Sequence, residues 1–81
     1  MRGRVKLFAS LREATGRSEI EWELGYGATV ETLLRHLTKT LPQFDEWADR
    51  IWIAVNQRYA APETQLQEGD EVALFTPVSG G

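Results

Sequence analysis

Apolar and polar residues alternate along two stretches near the start of the chain, and a period of two residues is typical of a half-buried β-strand. The first stretch runs from Arg4 to Ser10 and the second from Ser18 to Leu24. Residues 11–17 between them are too many for a two-residue hairpin loop and include Gly16, a common turn residue. The pattern therefore predicts two strands that form a hairpin with a longer, partly coiled loop.

The same alternation returns in the second half of the chain. Residues 51–55 predict a third strand, and residues 58–60 predict a short return strand that follows a turn at 56–57. A further turn at 68–70 precedes a last strand over 71–76, where the apolar positions again alternate. The sheet is therefore expected to contain strands from both ends of the sequence.

Residues 30–41 instead show the spacing of one apolar face of an α-helix. The apolar residues at that spacing are Val30, Leu33, Leu34, Leu37 and Leu41. Thr29 is expected to cap the helix N-terminus, and Pro42 ends the helix because the residue before a proline is disfavoured in helical conformation. His36 lies off the apolar face and is interpreted as a solvated helix residue rather than a metal ligand or a base.

Two strands, one amphipathic helix and further strands within 81 residues require the helix to pack its apolar face on one sheet. This order predicts an α+β fold, a ubiquitin-like β-grasp roll with a mixed sheet packed on one main helix. The first and last strands should lie side by side in the middle of the sheet, and Phe44 and Trp47 should fold over one end of the core. We expect one domain over residues 1–76 and a flexible C-terminal tail over 77–81.

The strand pattern also predicts an exposed apolar surface. It places Phe8 on the first strand and Phe75 on the last strand, both facing away from the helix. Trp52 and Ala54 have the same outward parity on the third strand. Scattered exposed apolar residues are normal, but aromatic side chains on adjacent strands favour a surface that binds a partner protein.

Composition narrows the chemistry that the chain can perform. It contains no cysteine, which excludes a disulfide scaffold, a thiolate-bound iron–sulfur cluster and a cysteine nucleophile. A net charge of −3 without a cluster of Lys or Arg argues against a nucleic-acid partner. One His and no carboxylates at ligand spacing argue against a metal site.

Membrane association is not expected either. No apolar run approaches the ~20 residues that a membrane span needs, and the N-terminal sequence lacks the apolar segment of a signal peptide. We therefore expect no membrane partner and a cytoplasmic location.

The sequence ends in Val78-Ser79-Gly80-Gly81. Glycine lacks a Cβ atom and reaches backbone conformations closed to other residues, so such a tail can enter a narrow pocket and present its terminal carboxylate to an activating enzyme. The alternative interpretation is a frayed terminus without a role.

Three segments resemble the small subunit of molybdopterin synthase, the sulfur-carrier protein of molybdenum cofactor biosynthesis. They are Phe8–Glu13 followed by Gly16, the segment Ala54–Gln57, and Gly69–Gly81 with its Pro-Val-Ser-Gly-Gly ending. The resemblance covers essentially the whole chain, and the last segment is the most specific.

The resemblance implies a mechanism centred on Gly81. A ubiquitin-activating-like adenylyltransferase would use ATP to convert its carboxylate to an acyl-adenylate, and a persulfide sulfur donor would then supply the sulfur of a thiocarboxylate. The tail would enter a pocket of the large synthase subunit and donate the sulfur to a pterin precursor, forming the dithiolene in two transfers. No cofactor would be bound beyond the covalent thiocarboxylate.

The resemblance also assigns roles to particular residues. Phe8, Arg12 and Phe75 would bind the partner. Within the tail, Pro77, Val78, Ser79 and Gly80 would occupy the pocket of the large subunit. The catalytic groups are expected on that large subunit, in a heterotetramer of two small and two large subunits, so the chain would not be an enzyme on its own.

Three other functions are compatible with the sequence, and the first two share the same activation step. The chain could carry sulfur for thiamine thiazole or for tRNA thiolation, or it could modify proteins as a ubiquitin-like tag joined to lysines through Gly81. A plain interaction module with an idle tail is a third possibility.

Overall fold

The chain folds as a single sheet with helices, and the computed structural model describes residues 1–42, 44–45 and 50–76. Within these residues the elements, in chain order, are β1 (Arg2–Leu7), α1 (Ala9–Thr15), β2 (Glu19–Glu23), α2 (Val30–Thr40), β3 (Trp52–Val55), β4 (Arg58–Tyr59) and β5 (Glu71–Phe75). The predicted strands and the main helix are confirmed, with boundaries that shift by a few residues.

The sheet has the strand order β2-β1-β5-β3-β4. β1 pairs antiparallel with β2 and parallel with β5, while β3 pairs antiparallel with both β5 and β4. The first and last strands therefore lie side by side within a mixed sheet, as predicted. β2 and β4 form its two edges.

α2 begins and ends where the sequence indicated. The Thr29 hydroxyl accepts a hydrogen bond from the Thr32 N–H at 3.3 Å, and the Thr32 hydroxyl accepts one from the Thr29 N–H at 3.1 Å. This reciprocal capping box satisfies two backbone donors at the helix start. The Leu41 N–H donates to the Leu37 carbonyl at 2.7 Å, and Pro42 follows.

The core lies between α2 and the inner face of the sheet. Its buried members are Val5, Leu7, Leu11, Trp22, Val30, Leu33, Leu37, Phe44, Ile53, Leu66, Val72 and Leu74. Phe44 is fully buried, which confirms that it packs on the core. The corresponding expectation for Trp47 lies outside the described residues.

The connection between β1 and β2 differs from the prediction, since it contains the helix α1 instead of a partly coiled loop. β1 ends at Leu7 rather than Ser10, and Ala9 adopts a positive φ of 48° where the chain turns away from the sheet. Leu11 is fully buried and anchors this helix. Gly16, with φ of 71°, ends it by donating its N–H to the Arg12 carbonyl at 2.9 Å, a left-handed cap that favours glycine.

The turn between β3 and β4 contains two residues, as predicted. Val55 pairs with Arg58 and Ala54 with Tyr59, which leaves Asn56 and Gln57 in the loop. Both have positive φ, 50° and 71°, and two successive left-handed residues match the twist of a tight hairpin.

Candidate functional site

The last described strand, β5, precedes the C-terminal tail in the sequence. β5 lies between β1 and β3, and its last residue, Phe75, pairs with Trp52 of β3. Thr76 is half-buried. The tail residues Pro77, Val78, Ser79, Gly80 and Gly81 lie outside the described residues, so their assigned roles stay predictions.

Three aromatic side chains cluster on the outer face of the sheet at this point. The ring centroids of Trp52 and Tyr59 are 5.5 Å apart, those of Tyr59 and Phe75 are 6.2 Å apart, and those of Trp52 and Phe75 are 6.4 Å apart. Trp52 is 48% exposed and Tyr59 is 73% exposed. These residues, called the aromatic cluster below, form an apolar surface next to the start of the tail, and aromatic surfaces of this kind are typical of protein interfaces.

The outward orientation predicted for Phe75 and Trp52 is therefore confirmed, whereas the placement of Phe8 on β1 was wrong. Phe8 is exposed and its backbone is extended, but it lies at the N-cap position of α1, because β1 ends at Leu7 and the chain turns at Ala9. Its N–H donates to the Leu74 carbonyl at 3.3 Å, so its backbone lies beside the end of β5. Among the described residues, the ring contacts do not include Phe8.

Arg12 is exposed on α1, close in sequence to Phe8. The cap at the C-terminus of α1 uses the backbone carbonyl of Arg12. The Arg12 guanidinium takes no part in that hydrogen bond. α1 contacts β5. The helix that carries Arg12 therefore lies beside β5, the last described strand.

Tyr59 is a candidate site residue that the sequence prediction missed. The two-residue turn fixes its register opposite Ala54, and directly paired residues point to the same face of a sheet. Because Ala54 was predicted to face outward, the same parity could have placed Tyr59 there.

The other half of the outer face is charged. Arg2 pairs with Glu23 at 3.0 Å, Arg4 with Glu19 at 3.3 Å, and Lys6 with Glu71 at 3.6 Å. The hydrogen bond to Glu23, followed by the attraction of its charge, raises the pKa of Arg2. Exposed pairs like these contribute little to stability, but they confine the apolar surface to β3, β4 and β5.

Among the described residues, neither a metal-binding group nor a membrane-spanning helix is found. Within residues 1–42, 44–45 and 50–76, no three His, Cys, Asp or Glu side chains are grouped so that they could hold a metal ion. None of the helices in this part of the chain has the length and apolar character to cross a membrane. His36 is exposed on α2, consistent with its interpretation as a solvated residue.

Comparison with known proteins places this geometry in a family. The model of the ThiS family matches residues 5–81. A molybdopterin synthase sulfur carrier subunit from Chlamydomonas reinhardtii is 40% identical over 83 residues, covering 100% of both chains. SAMP1 from Haloferax volcanii, a small archaeal modifier protein, has a similar structure with a TM-score of 0.92 at 32% identity, again over 100% of both chains.

A further solved structure is a protein–protein complex of subunits 1 and 2 of molybdopterin-converting factor from Helicobacter pylori. One of its chains matches with a TM-score of 0.73 at 23% identity, over 100% of both chains, and this likeness concerns the fold. The chain therefore belongs to the ThiS family, with the ubiquitin-like β-grasp fold, and its relatives include molybdopterin synthase sulfur carrier subunits.

Proposed function

We propose that the chain is the sulfur-carrier subunit of a molybdopterin synthase and that Gly81 carries the sulfur. The observation that carries this proposal is the 40% identity, over the full length of both chains, to a relative that bears this function in its name. The position of the aromatic cluster beside the start of the tail supports it, since a carrier must dock its globule while its terminus reaches a partner's active site.

Activation is the first chemical step, because a carboxylate is a poor electrophile. A carboxylate oxygen of Gly81 attacks the α-phosphorus of ATP, the bond to pyrophosphate breaks, and an acyl-adenylate forms. AMP is a good leaving group, so the carbonyl carbon can now accept a nucleophile. The activating enzyme, an adenylyltransferase of the ubiquitin-activating kind, supplies the groups for this step.

Sulfur enters in the second step. If hydrosulfide is the nucleophile, it adds to the carbonyl carbon, the bond to AMP breaks, and a thiocarboxylate remains at Gly81. If a protein persulfide attacks instead, an acyl disulfide forms, and a thiol must reduce its S–S bond to release the thiocarboxylate. Both routes fit a chain without cysteine, because the sulfur and any reducing thiol come from other molecules.

Delivery takes place on the large synthase subunit. The six residues Thr76–Gly81 span about 20 Å when extended, which is long enough to reach a buried site while the globule stays outside. The thiocarboxylate sulfur then attacks a carbon of the pterin precursor, which links the two molecules through a thioester. Water hydrolyses the bond between the sulfur and the Gly81 carbonyl carbon, so the sulfur stays on the pterin and Gly81 regains its carboxylate; two such transfers complete the dithiolene. Phe8, Arg12 and Phe75, with Trp52 and Tyr59, would hold the globule on the large subunit, in the expected assembly of two small and two large subunits.

The test is intact-mass spectrometry of the full chain after incubation with the activating enzyme, ATP and a persulfide donor. We expect the mass increase that corresponds to replacement of one oxygen by sulfur, and fragmentation should locate it at Gly81. A reaction without ATP is the matched control. Sulfur found on an internal residue, or no modification under conditions that thiolate an authentic carrier, would contradict the proposal.

Protein modification is a second candidate because SAMP1, a modifier protein, is so similar in structure. Both functions begin with the same acyl-adenylate, and they differ in what attacks it. A lysine amine would give an isopeptide bond to a target protein. Conjugates that disappear when the Gly81 carboxylate is blocked would establish this function, whereas thiocarboxylate alone would favour sulfur delivery.

A further inference from the structure

β2 is an edge strand with an ordered set of free backbone groups. Within the part of the chain that the structure describes, it pairs with β1 and with no strand on its other side. The Ser18 carbonyl accepts from the Leu7 N–H at 3.0 Å, and Leu24 exchanges hydrogen bonds with Met1 at 2.7 Å and 2.9 Å. In an antiparallel pair, alternate residues make these bonds, so the even-numbered residues of β2 face β1. The N–H and C=O groups of residues 19, 21 and 23 therefore point outward from the edge.

A groove lies beside this free edge, between β2 and α2. Its volume is about 130 Å³, and its lining consists of Arg17, Ile20, Glu21, His36, Leu37, Thr40 and Leu41. Ile20 and Leu41 are half-buried against the core, and Leu37 is buried. An aliphatic side chain on a strand added to the edge would extend this apolar contact with Ile20, Leu37 and Leu41.

The outer face of the same strand is acidic. Glu19 and Glu23 form ion pairs with β1, yet 44% and 69% of their side chains stay exposed. Glu21 forms no ion pair with any other residue that the structure describes. A second copy of β2 added to this edge would bring glutamates close to glutamates, which is unfavourable. A strand with Lys or Arg on this face would instead complement the charge.

We propose that the free edge of β2 binds an extended segment of a partner protein in which aliphatic and basic residues alternate. Backbone hydrogen bonds to residues 19, 21 and 23 would add the segment to the sheet as a further strand. Its aliphatic side chains would lie over the groove, and its basic side chains would face the glutamates. β2 and β4 lie at opposite edges of the sheet, so the site is separate from the aromatic cluster and does not depend on sulfur transfer.

The first test uses a capped synthetic heptapeptide with lysine at odd positions and valine or isoleucine at even positions. It is titrated into the isotopically labelled full chain and followed by NMR. Binding should shift the backbone amides of residues 19, 21 and 23 and the methyl groups of Ile20, Leu37 and Leu41. The control peptide has the same composition with its lysines grouped at one end. Equal affinity of both peptides, or shifts centred on the aromatic cluster, would overturn the proposal.

Two substitutions at Glu21 separate the contribution of the backbone hydrogen bonds to peptide binding from the contribution of the charge. Glu21→Pro removes an outward N–H without removing a hydrogen bond to β1 and should weaken peptide binding about tenfold. Glu21→Lys keeps the backbone but reverses the charge, and a similar loss of about tenfold is expected.

Glu63→Lys, in the loop between β4 and β5, makes the same charge change elsewhere and should alter affinity less than about twofold. Spectra of each variant without peptide show whether it is folded. If Glu21→Pro does not fold, Glu21→Lys decides the question, and affinity unchanged in that variant would refute the site.

Discussion

At the scale of single residues, the contacts of Gly3 and Asp70 connect β1 to the start of β5. Gly3 lies on β1, and its backbone packs against the buried indole of Trp22. The indole N–H donates to the Asp70 carbonyl at 3.2 Å. The Asp70 carboxylate accepts from the Asn56 side chain at 2.9 Å and from the Gln67 N–H at 2.7 Å. These contacts tie β1, β2 and the β3–β4 turn to the start of β5.

Replacing Gly3 with alanine should destabilise the fold strongly. A Cβ atom at this position would clash with the Trp22 ring and with the Asp70 carbonyl, and one of these contacts is backbone that cannot easily move. Overpacking of a tight site typically costs about 1–3 kcal/mol, so the free energy of unfolding should fall by about 2 kcal/mol in urea titration. Gly25→Ala is the control, since a Cβ there meets nothing within 4 Å. Equal stability of the two variants would contradict this packing.

At the scale of elements, those with a regular period of apolar residues were predicted from the sequence. The elements and contacts without such a period were missed. The strands and α2 have several residues at a regular period, so β3, β5 and α2 were predicted with their correct faces. α1 has seven residues and one buried side chain, Leu11, which gives no period to detect. Asp70 and Asn56 lie 14 residues apart, so their hydrogen bond depends on a strand register that sequence patterns do not specify.

The aromatic cluster leads to a prediction about docking. Tyr59→Ser should weaken binding to the large synthase subunit by about tenfold or more, because exposed aromatic anchors often dominate interface affinity. The fold should be unaffected, since Tyr59 is 73% exposed. Binding is measured by calorimetry with the purified large subunit, beside a thermal melt.

The control for this measurement is Tyr26→Ser. Tyr26 is 90% exposed in the turn between β2 and α2 and, among the described residues, lies outside the aromatic cluster. Removing the Tyr26 ring should leave the affinity for the large subunit unchanged. If Tyr26→Ser weakens binding as much as Tyr59→Ser does, the large subunit does not dock on the cluster.

At the scale of the whole molecule, stability and the proposed chemistry depend on different parts of the chain. Among the described residues, those buried in the core precede Phe75, which belongs to β5 and to the aromatic cluster. The edge strand β4 contributes Tyr59 to this cluster, whereas the other edge strand, β2, lies beyond β1. We expect the core to stay intact when partners bind, because the proposed function requires only the surface and the terminus.

Deleting Gly81, or adding residues after it, should therefore abolish sulfur transfer without lowering the melting temperature. Deletion moves the reactive carbon back by one residue, about 3.3 Å, whereas reacting atoms must approach within about 3–3.5 Å and be aligned. Extension converts the Gly81 carboxylate to an amide, which has no free carboxylate oxygen to attack ATP. Activation and synthase activity are measured for both variants beside the unaltered chain, with melting curves as the control for folding. An extended variant that still delivers sulfur, without trimming back to Gly81, would show that the terminal carboxylate is not the carrier.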